Sequence, residues 1–222
     1  MGEATLTKYR AVIFDLDGTL LDTLNDIADS VNRVLGRCGL PEHSIEAYKY
    51  FIGDGVEELA ARVLPDGRRD PTTVARLVTS IREEYGEHWA DKTHPYEEIP
   101  ELLDDLTVRG IKLAVLSNKP DGPTKLTVSR LLPRWQFELT IGAGPSVPKK
   151  PDPSTALEIA ACLSIPPSEF LYLGDGDTDM KTASAAGMYA VGALWGFRSA
   201  EELSAGGAKA LIEKPLDLLG FL

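Results

Sequence analysis

Asp15 and Asp17 flank Leu16 and precede Gly18-Thr19, directly after the apolar run Ala11 to Phe14. In such a pair one carboxylate can attack an electrophile such as phosphorus, while the other, two residues on, donates and accepts protons beside it. Taken singly, each aspartate reads equally well as a turn former at the end of a strand. The string Asp-x-Asp-Gly-Thr arises by chance in roughly one chain in several hundred of this size, and here it follows a strand-like run, so the pairing outweighs that simpler reading. Three later segments share the setting, polar residues where an apolar run stops. They are Ser117-Asn118-Lys119-Pro120, Lys150-Pro151-Asp152-Pro153 and Gly174-Asp175-Gly176-Asp177-Thr178-Asp179.

A group of acids cannot receive an anion unaided, because like charges repel at short range. A divalent cation with hard oxygen ligands resolves that conflict, and magnesium suits a site that keeps room for water and a phosphate oxygen. The spacing of Asp175, Asp177 and Asp179 also opens a calcium loop, but that loop needs Gly at its sixth position and Glu at its twelfth, where this chain has Met180 and Ala186. A solvated turn remains the simpler alternative for these aspartates. Ser117 and Asn118 can hold phosphoryl oxygens or merely cap a helix. Lys150 or its neighbour Lys149 can serve as a positioned cation, the adjoining prolines stiffening the backbone. Phe51-Ile52-Gly53-Asp54-Gly55 is either a plain connection or a turn whose glycines let backbone approach a ligand.

The elements that position these residues follow from periodicity. Apolar residues from Leu24 to Cys38 recur at three- and four-residue steps and stop at Gly39 and Pro41, which predicts a helix. Further helices are predicted over Ile45 to Phe51, Gly55 to Leu64 and Pro71 to Trp89, so residues 22–95 read as wholly helical. Beyond Pro95 helices near Ile99 to Val108, after Pro123, over Ser154 to Leu163 and over Thr178 to Ala186 alternate with strands at Ile111 to Leu116, Phe137 to Ile141, Phe170 to Leu173 and Tyr189 to Leu194. Such alternation implies a doubly wound parallel sheet, an α/β fold. The strand before the helical block must join that sheet, so the block is an insertion. The expected division is a core of residues 1–21 and 96–222 and an inserted helical unit of residues 22–95.

With 222 residues, 43% of them hydrophobic, the chain can bury a sizeable core. A net charge of −11 without a basic stripe argues against nucleic acid as a partner. Cys38 and Cys162 lack zinc-site spacing, Met1 to Arg10 lacks the apolar stretch of a leader, and no run suits a membrane helix. The expectation is a cytoplasmic protein with a small-molecule partner; nothing in the sequence sets an oligomeric state.

Together the four polar segments resemble the four motifs of the haloacid dehalogenase superfamily, in the order that superfamily requires, and the helical insertion is similar to its smaller cap. The resemblance implies a Rossmann-like core and a magnesium-dependent phosphatase acting through an aspartyl-phosphate. It makes Asp15 the nucleophile and Asp17 the acid and base. Ser117 and Lys150, the lysine directly before proline, complete the catalytic set. The Asp15 side chain, the Asp17 carbonyl and the Asp175 side chain become magnesium ligands, with Asp179 in support. Thr19, Asn118, Gly53, Asp54 and Gly55 are the expected substrate contacts. Asp17 argues against the dehalogenase branch, and the cap lysines Lys49 and Lys92 lack the apolar setting that the phosphonate-cleaving branch needs. The Phe-Ile-Gly-Asp-Gly turn and Val191 to Ser199 resemble phosphoglycolate phosphatases, so 2-phosphoglycolate is the first expectation for the substrate. Another sugar phosphate, pyrophosphate, or a transfer like that of β-phosphoglucomutase is the alternative.

Asp15→Asn is expected to abolish phosphate release without unfolding the protein, since an amide cannot attack phosphorus. Steady-state assay should find less than about a thousandth of wild-type turnover, the ratio that several kcal/mol of lost barrier lowering represents.

Overall fold

The computed structural model describes residues 8–222; residues 1–7, part of the stretch read as lacking a leader, lie outside them. The chain opens with strand β1 (Ala11–Phe14), every residue of which is buried. The short strand β2 (Leu21–Asp22) then leads into four helices, α1 (Leu24–Arg37), α2 (Ile45–Phe51), α3 (Val56–Val63) and α4 (Pro71–His88). Asp70 caps α4, its carboxylate accepting from the Thr73 N–H at 3.0 Å, and Pro71 fills the first turn where no N–H is needed. Strand β3 (His94–Pro95) returns the chain to its starting point. The remainder alternates as α5 (Ile99–Val108), β4 (Lys112–Pro120), α6 (Asp121–Leu131), β5 (Leu139–Ala143), α7 (Ser154–Leu163), β6 (Phe170–Gly174), α8 (Asp177–Ala186), β7 (Tyr189–Ala193), α9 (Ala200–Gly206) and β8 (Ala210–Ile212).

Six strands form one parallel sheet in the order β5-β4-β1-β6-β7-β8. This is the expected doubly wound α/β architecture, with β1 between β4 and β6. Side-chain alternation sorts the sheet into two layers. Val12 and Phe14 of β1 pack with Leu113, Val115 and the α5 residues Leu102 and Leu106. Ala11 and Ile13 face the other way, toward Ile159 of α7 and Met180 of α8. Helices on both faces explain why the strands read as unbroken apolar runs. A third cluster joins α1 to α4 through residues such as Val31, Tyr48, Leu59 and Ile81, and Phe197 from the loop after β7 enters it.

The segment expected to be entirely helical from residue 22 to 95 is instead tied off at both ends by strand pairing. Leu21 pairs with Pro95 and Asp22 with His94 in an antiparallel ribbon. Two-residue strands carry no periodicity, so the sequence does not mark them. Helix α9 and strand β8 also lie past the last predicted strand.

Beside that ribbon, Asp26 is 2% exposed in the first turn of α1. Its carboxylate accepts from Lys92 N at 3.0 and 2.9 Å, Thr93 N at 2.8 Å and Thr93 Oγ1 at 2.7 Å. Asp26→Ala should therefore strand buried donors and cost about 3 kcal/mol of stability in urea denaturation. A loss under about 1 kcal/mol would show that water replaces the carboxylate without penalty.

Candidate active site

Asp15 leaves the end of β1 with its N–H donating to Leu173 O at 2.9 Å, so the central strand pairing sets its position. Its Oδ1 accepts from Leu16 N at 2.7 Å and lies 2.7 Å from Lys150 Nζ. The same ammonium reaches Asp179 Oδ1 at 2.7 Å and Leu116 O at 3.1 Å. Lys150 is thus the buried bridge between β1, β4 and α8. Its backbone is fixed in turn by Asn118: Lys150 N donates to Asn118 Oδ1 at 2.8 Å, and Asn118 Nδ2 donates to Lys150 O at 3.1 Å. Lys149, the alternative weighed from sequence, points outward and pairs with Glu57 at 2.8 Å.

Carboxylate oxygens of Asp15, Asp175 and Asp179 lie within 4.8 Å of one another. Burial and the neighbouring Asp179 push Asp15 well above the usual carboxylate range, against the pull of Lys150. Burial and Asp179 also raise Asp175, to about 6. Burial alone would lower the Lys150 ammonium, but Asp15 and Asp179 outweigh it and hold its pKa above the ordinary lysine value. Three acids around one lysine leave a net negative, hard-oxygen donor set, which fits a small divalent cation. Asp175 is aimed by two donors, Thr19 Oγ1 at 2.8 Å to Oδ1 and Phe197 N at 2.8 Å to Oδ2. Asp179 accepts from Gly176 N at 3.0 Å, in the first turn of α8.

Asp17 faces a different partner. Its Oδ1 lies 2.9 Å from Lys119 Nζ, which also donates to the Tyr85 hydroxyl at 2.8 Å. Tyr85 belongs to α4, so this contact crosses from the helical segment to the sheet. Burial alone would depress Lys119, yet Asp17 and Tyr85 more than offset it and hold the ammonium above its ordinary value. Lys119 lies within the Ser117-Asn118-Lys119-Pro120 segment, where the sequence alone assigns it no task. A lysine at the tip of a β-strand carries no signal until its neighbours are known. Here the register of β4 against β5 shifts between Leu116 and Pro120, a bulge that falls across these residues.

A cavity of about 920 Å³ opens over Asp15, Asp17 and Ser117. Gly53 and Gly55, which the resemblance makes substrate contacts, line it. Its far wall is largely apolar, with Ile27, Val31, Ile81 and Trp89 from the helical segment. Three expected ligand contacts have other partners. Thr19 is fully buried and serves Asp175 through its hydroxyl. The Asp54 carboxylate pairs with Arg62, off the cavity lining. Asn118 lines the cavity, but its side chain is engaged by Lys150 and by Gly53 O at 3.0 Å.

The segment after β7, read from sequence without a catalytic task, does three jobs of support. Trp195 Nε1 donates to Thr19 O at 3.0 Å, Phe197 N holds Asp175, and Arg198 clasps the helical segment through Ile52 O at 3.0 Å and Lys49 O. The Arg198 guanidinium also lies 5.6 Å from the Tyr50 ring centroid.

A sequence model of the haloacid dehalogenase-like hydrolases matches residues 12–193. A phosphoglycolate phosphatase of Aquifex aeolicus is 36% identical over 85% of this chain and 86% of its own. One of Thiobacillus denitrificans is 34% identical over 80% of each chain. A solved structure from Lactobacillus delbrueckii subsp. bulgaricus, described as a candidate phosphoglycolate phosphatase, superposes with a TM-score of 0.89 at 30% identity, covering 95% of this chain and 96% of its own.

Close packing on Asp175 yields a direct test. A Cβ on Gly196 would lie 2.2 Å from Asp175 Cβ and 2.5 Å from its carboxyl carbon. Gly196→Ala should therefore displace Asp175 and cost about 1–3 kcal/mol in thermal denaturation. Gly86→Ala, with nothing within 4 Å of its Cβ position in α4, should be neutral or stabilising.

Proposed function

The chain belongs to the haloacid dehalogenase-like hydrolase family, and from that premise we propose that it is a magnesium-dependent phosphatase of small phosphorylated metabolites, 2-phosphoglycolate first among them. The observation that carries this reading is Asp15 at the cavity, 13% exposed in its side chain, with Lys150 at 2.7 Å and two further acids beside it.

In this reading Asp15 attacks phosphorus, and the ester P–O bond breaks as its electron pair leaves on the ester oxygen. Asp17 supplies the proton that oxygen takes up. Water then attacks the aspartyl-phosphate, passes a proton to Asp17 and restores the Asp15 carboxylate as phosphate departs. Lys150 faces the charge that builds on the phosphoryl oxygens, and Ser117 of β4 offers them a hydroxyl. Asp15, Asp175 and the Asp17 carbonyl would hold magnesium, supported by Asp179. The cation would offset the acids' repulsion of phosphate and polarise the phosphoryl group.

Residues 22–95 act as a cap over a core of residues 1–21 and 96–222. The cap supplies the apolar far wall of the cavity, while the core carries the acids. That wall favours a small organic group over a sugar, because a hexose would bury hydroxyls with few partners. The names of the relatives that match at 36% and 34% identity support the same substrate.

Phosphate release from phosphoglycolate, hexose phosphates and pyrophosphate, each with magnesium and with excess chelator, tests this reading. Phosphoglycolate should be turned over at least about tenfold more efficiently than the others, and chelation should stop turnover. Full activity in chelator removes the metal from the mechanism, and a hexose preference removes the substrate. Magnesium should also raise the melting temperature, more at pH 7.5 than at pH 5. Asp175 is raised to about 6, so without a cation its favourable contribution is lost as pH climbs through that value.

A further inference from the structure

One buried cation in the cavity has no task in the reaction above. Lys119 is 8% exposed at the tip of β4. Its ammonium has three N–H donors, and among the described residues two of them are engaged, by Asp17 Oδ1 at 2.9 Å and by the Tyr85 oxygen at 2.8 Å. The Tyr85 hydroxyl accepts from Lys119 and so keeps its own proton for another acceptor; burial raises its pKa, which keeps that proton in place. The other cations lining the cavity differ. The side chains of Arg82 and Lys149 are 54% and 41% exposed, and both bind Glu57, at 2.7 and 2.8 Å. They lie near solvent with a partner already neutralising them. Lys119 lies at the seam between the helical segment and the sheet, in a cavity whose far wall is apolar.

We propose that Lys119 and the Tyr85 hydroxyl form a subsite for a second anionic group of the substrate, a carboxylate two bonds from the ester oxygen, as in a phosphorylated α-hydroxy acid. The inference rests on the phosphatase reading, which puts Asp17 within hydrogen-bond reach of the ester oxygen. Lys119 is one hydrogen bond beyond Asp17, at 2.9 Å, and the two bonds from ester oxygen to carboxyl carbon cover that step. A carboxylate there receives a charge-assisted bond from the third ammonium donor and a second bond from the tyrosine O–H. The apolar wall strengthens both by excluding water. An ester of the same length without the carboxylate leaves those donors unpaired, and a site built on donors discriminates strongly against such an analogue. The terminal phosphate of pyrophosphate shares the anionic chemistry and is bulkier.

The test compares wild type, Lys119→Met, Lys119→Arg and Tyr85→Phe on 2-phosphoglycolate, ethyl phosphate and pyrophosphate with magnesium, and thermal denaturation confirms that each variant is folded. Wild type should favour phosphoglycolate over ethyl phosphate. Lys119→Met should lower kcat/KM for both, but at least about tenfold more for phosphoglycolate, mainly through KM. Lys119→Arg should recover part of that difference, and Tyr85→Phe should lose a smaller share of it. Equal losses on the two esters, or none, overturn the subsite while phosphate release by wild type leaves the phosphatase reading standing. A wild-type preference for pyrophosphate, with the Lys119→Met loss transferred to it, overturns the carboxylate as the recognised group. Wild type inactive on all three overturns both readings together. If Lys119→Met fails to fold, the ester comparison in Lys119→Arg and Tyr85→Phe decides: unchanged discrimination in both overturns the subsite.

Discussion

The site depends on keeping Asp15 and Asp179 close together in a place that water barely reaches. Lys150 makes this possible, with its ammonium 2.7 Å from each. A buried ion group of this kind costs much of what it gains in desolvation, so its value lies in placement. The three partners of Lys150 come from the end of β1, the middle of β4 and the first turn of α8, and the ammonium ties those three elements together. Removing it would leave two buried acids without a counter-charge, a far larger penalty than the bridge contributes to stability. The same economy explains the glycines. At Gly18 and Gly196 a Cβ would come within 2.3 and 2.2 Å of Asp175 atoms, so main chain packs where side chains would push the acid aside.

From this centre the order spreads outward through main-chain contacts. Asn118 fixes Lys150 on one side and reaches Gly53 O on the other. Arg198 grips the same turn from the loop after β7, a loop whose Phe197 N also holds Asp175. The turn Ile52 to Gly55 is therefore linked to both Lys150 and Asp175 through one or two intervening residues. The helical segment is thus joined to the sheet beside Lys150 and Asp175.

Much of this was legible in the sequence, and the parts that were not share a cause. The strands of the sheet declare themselves because both faces are covered, so Ala11 to Phe14 and Phe170 to Leu173 read as apolar runs. Asp15 and Asp175 stand where such a run stops or one residue beyond, whereas Lys150 and Asp179 lie farther from any strand and were expected only from the resemblance of their motifs. Thr19 and Asp54 were expected at the ligand, but burial and Arg62 direct them elsewhere. Lys119 and Arg198 were missed as positioned cations because their partners, Tyr85 and the carbonyl of Ile52, are far away in sequence. Periodicity reports a residue's own element; it says nothing of what another element brings to it.

The two buried lysines divide the charge of the site in a way that bears on selectivity. Among the described residues the Lys150 ammonium meets Asp15, Asp179 and main chain, so in the proposed reaction it would act on the group carried by Asp15. Lys119 has one partner from the core, Asp17, and one from α4, Tyr85, so its ammonium is held by both parts of the chain. In the proposed reaction a core of this design would treat every phosphate alike, because its acids and lysine would meet the phosphoryl end alone. Discrimination has to come from groups whose placement requires both parts of the chain at once, and Tyr85 over Lys119 is such a pair.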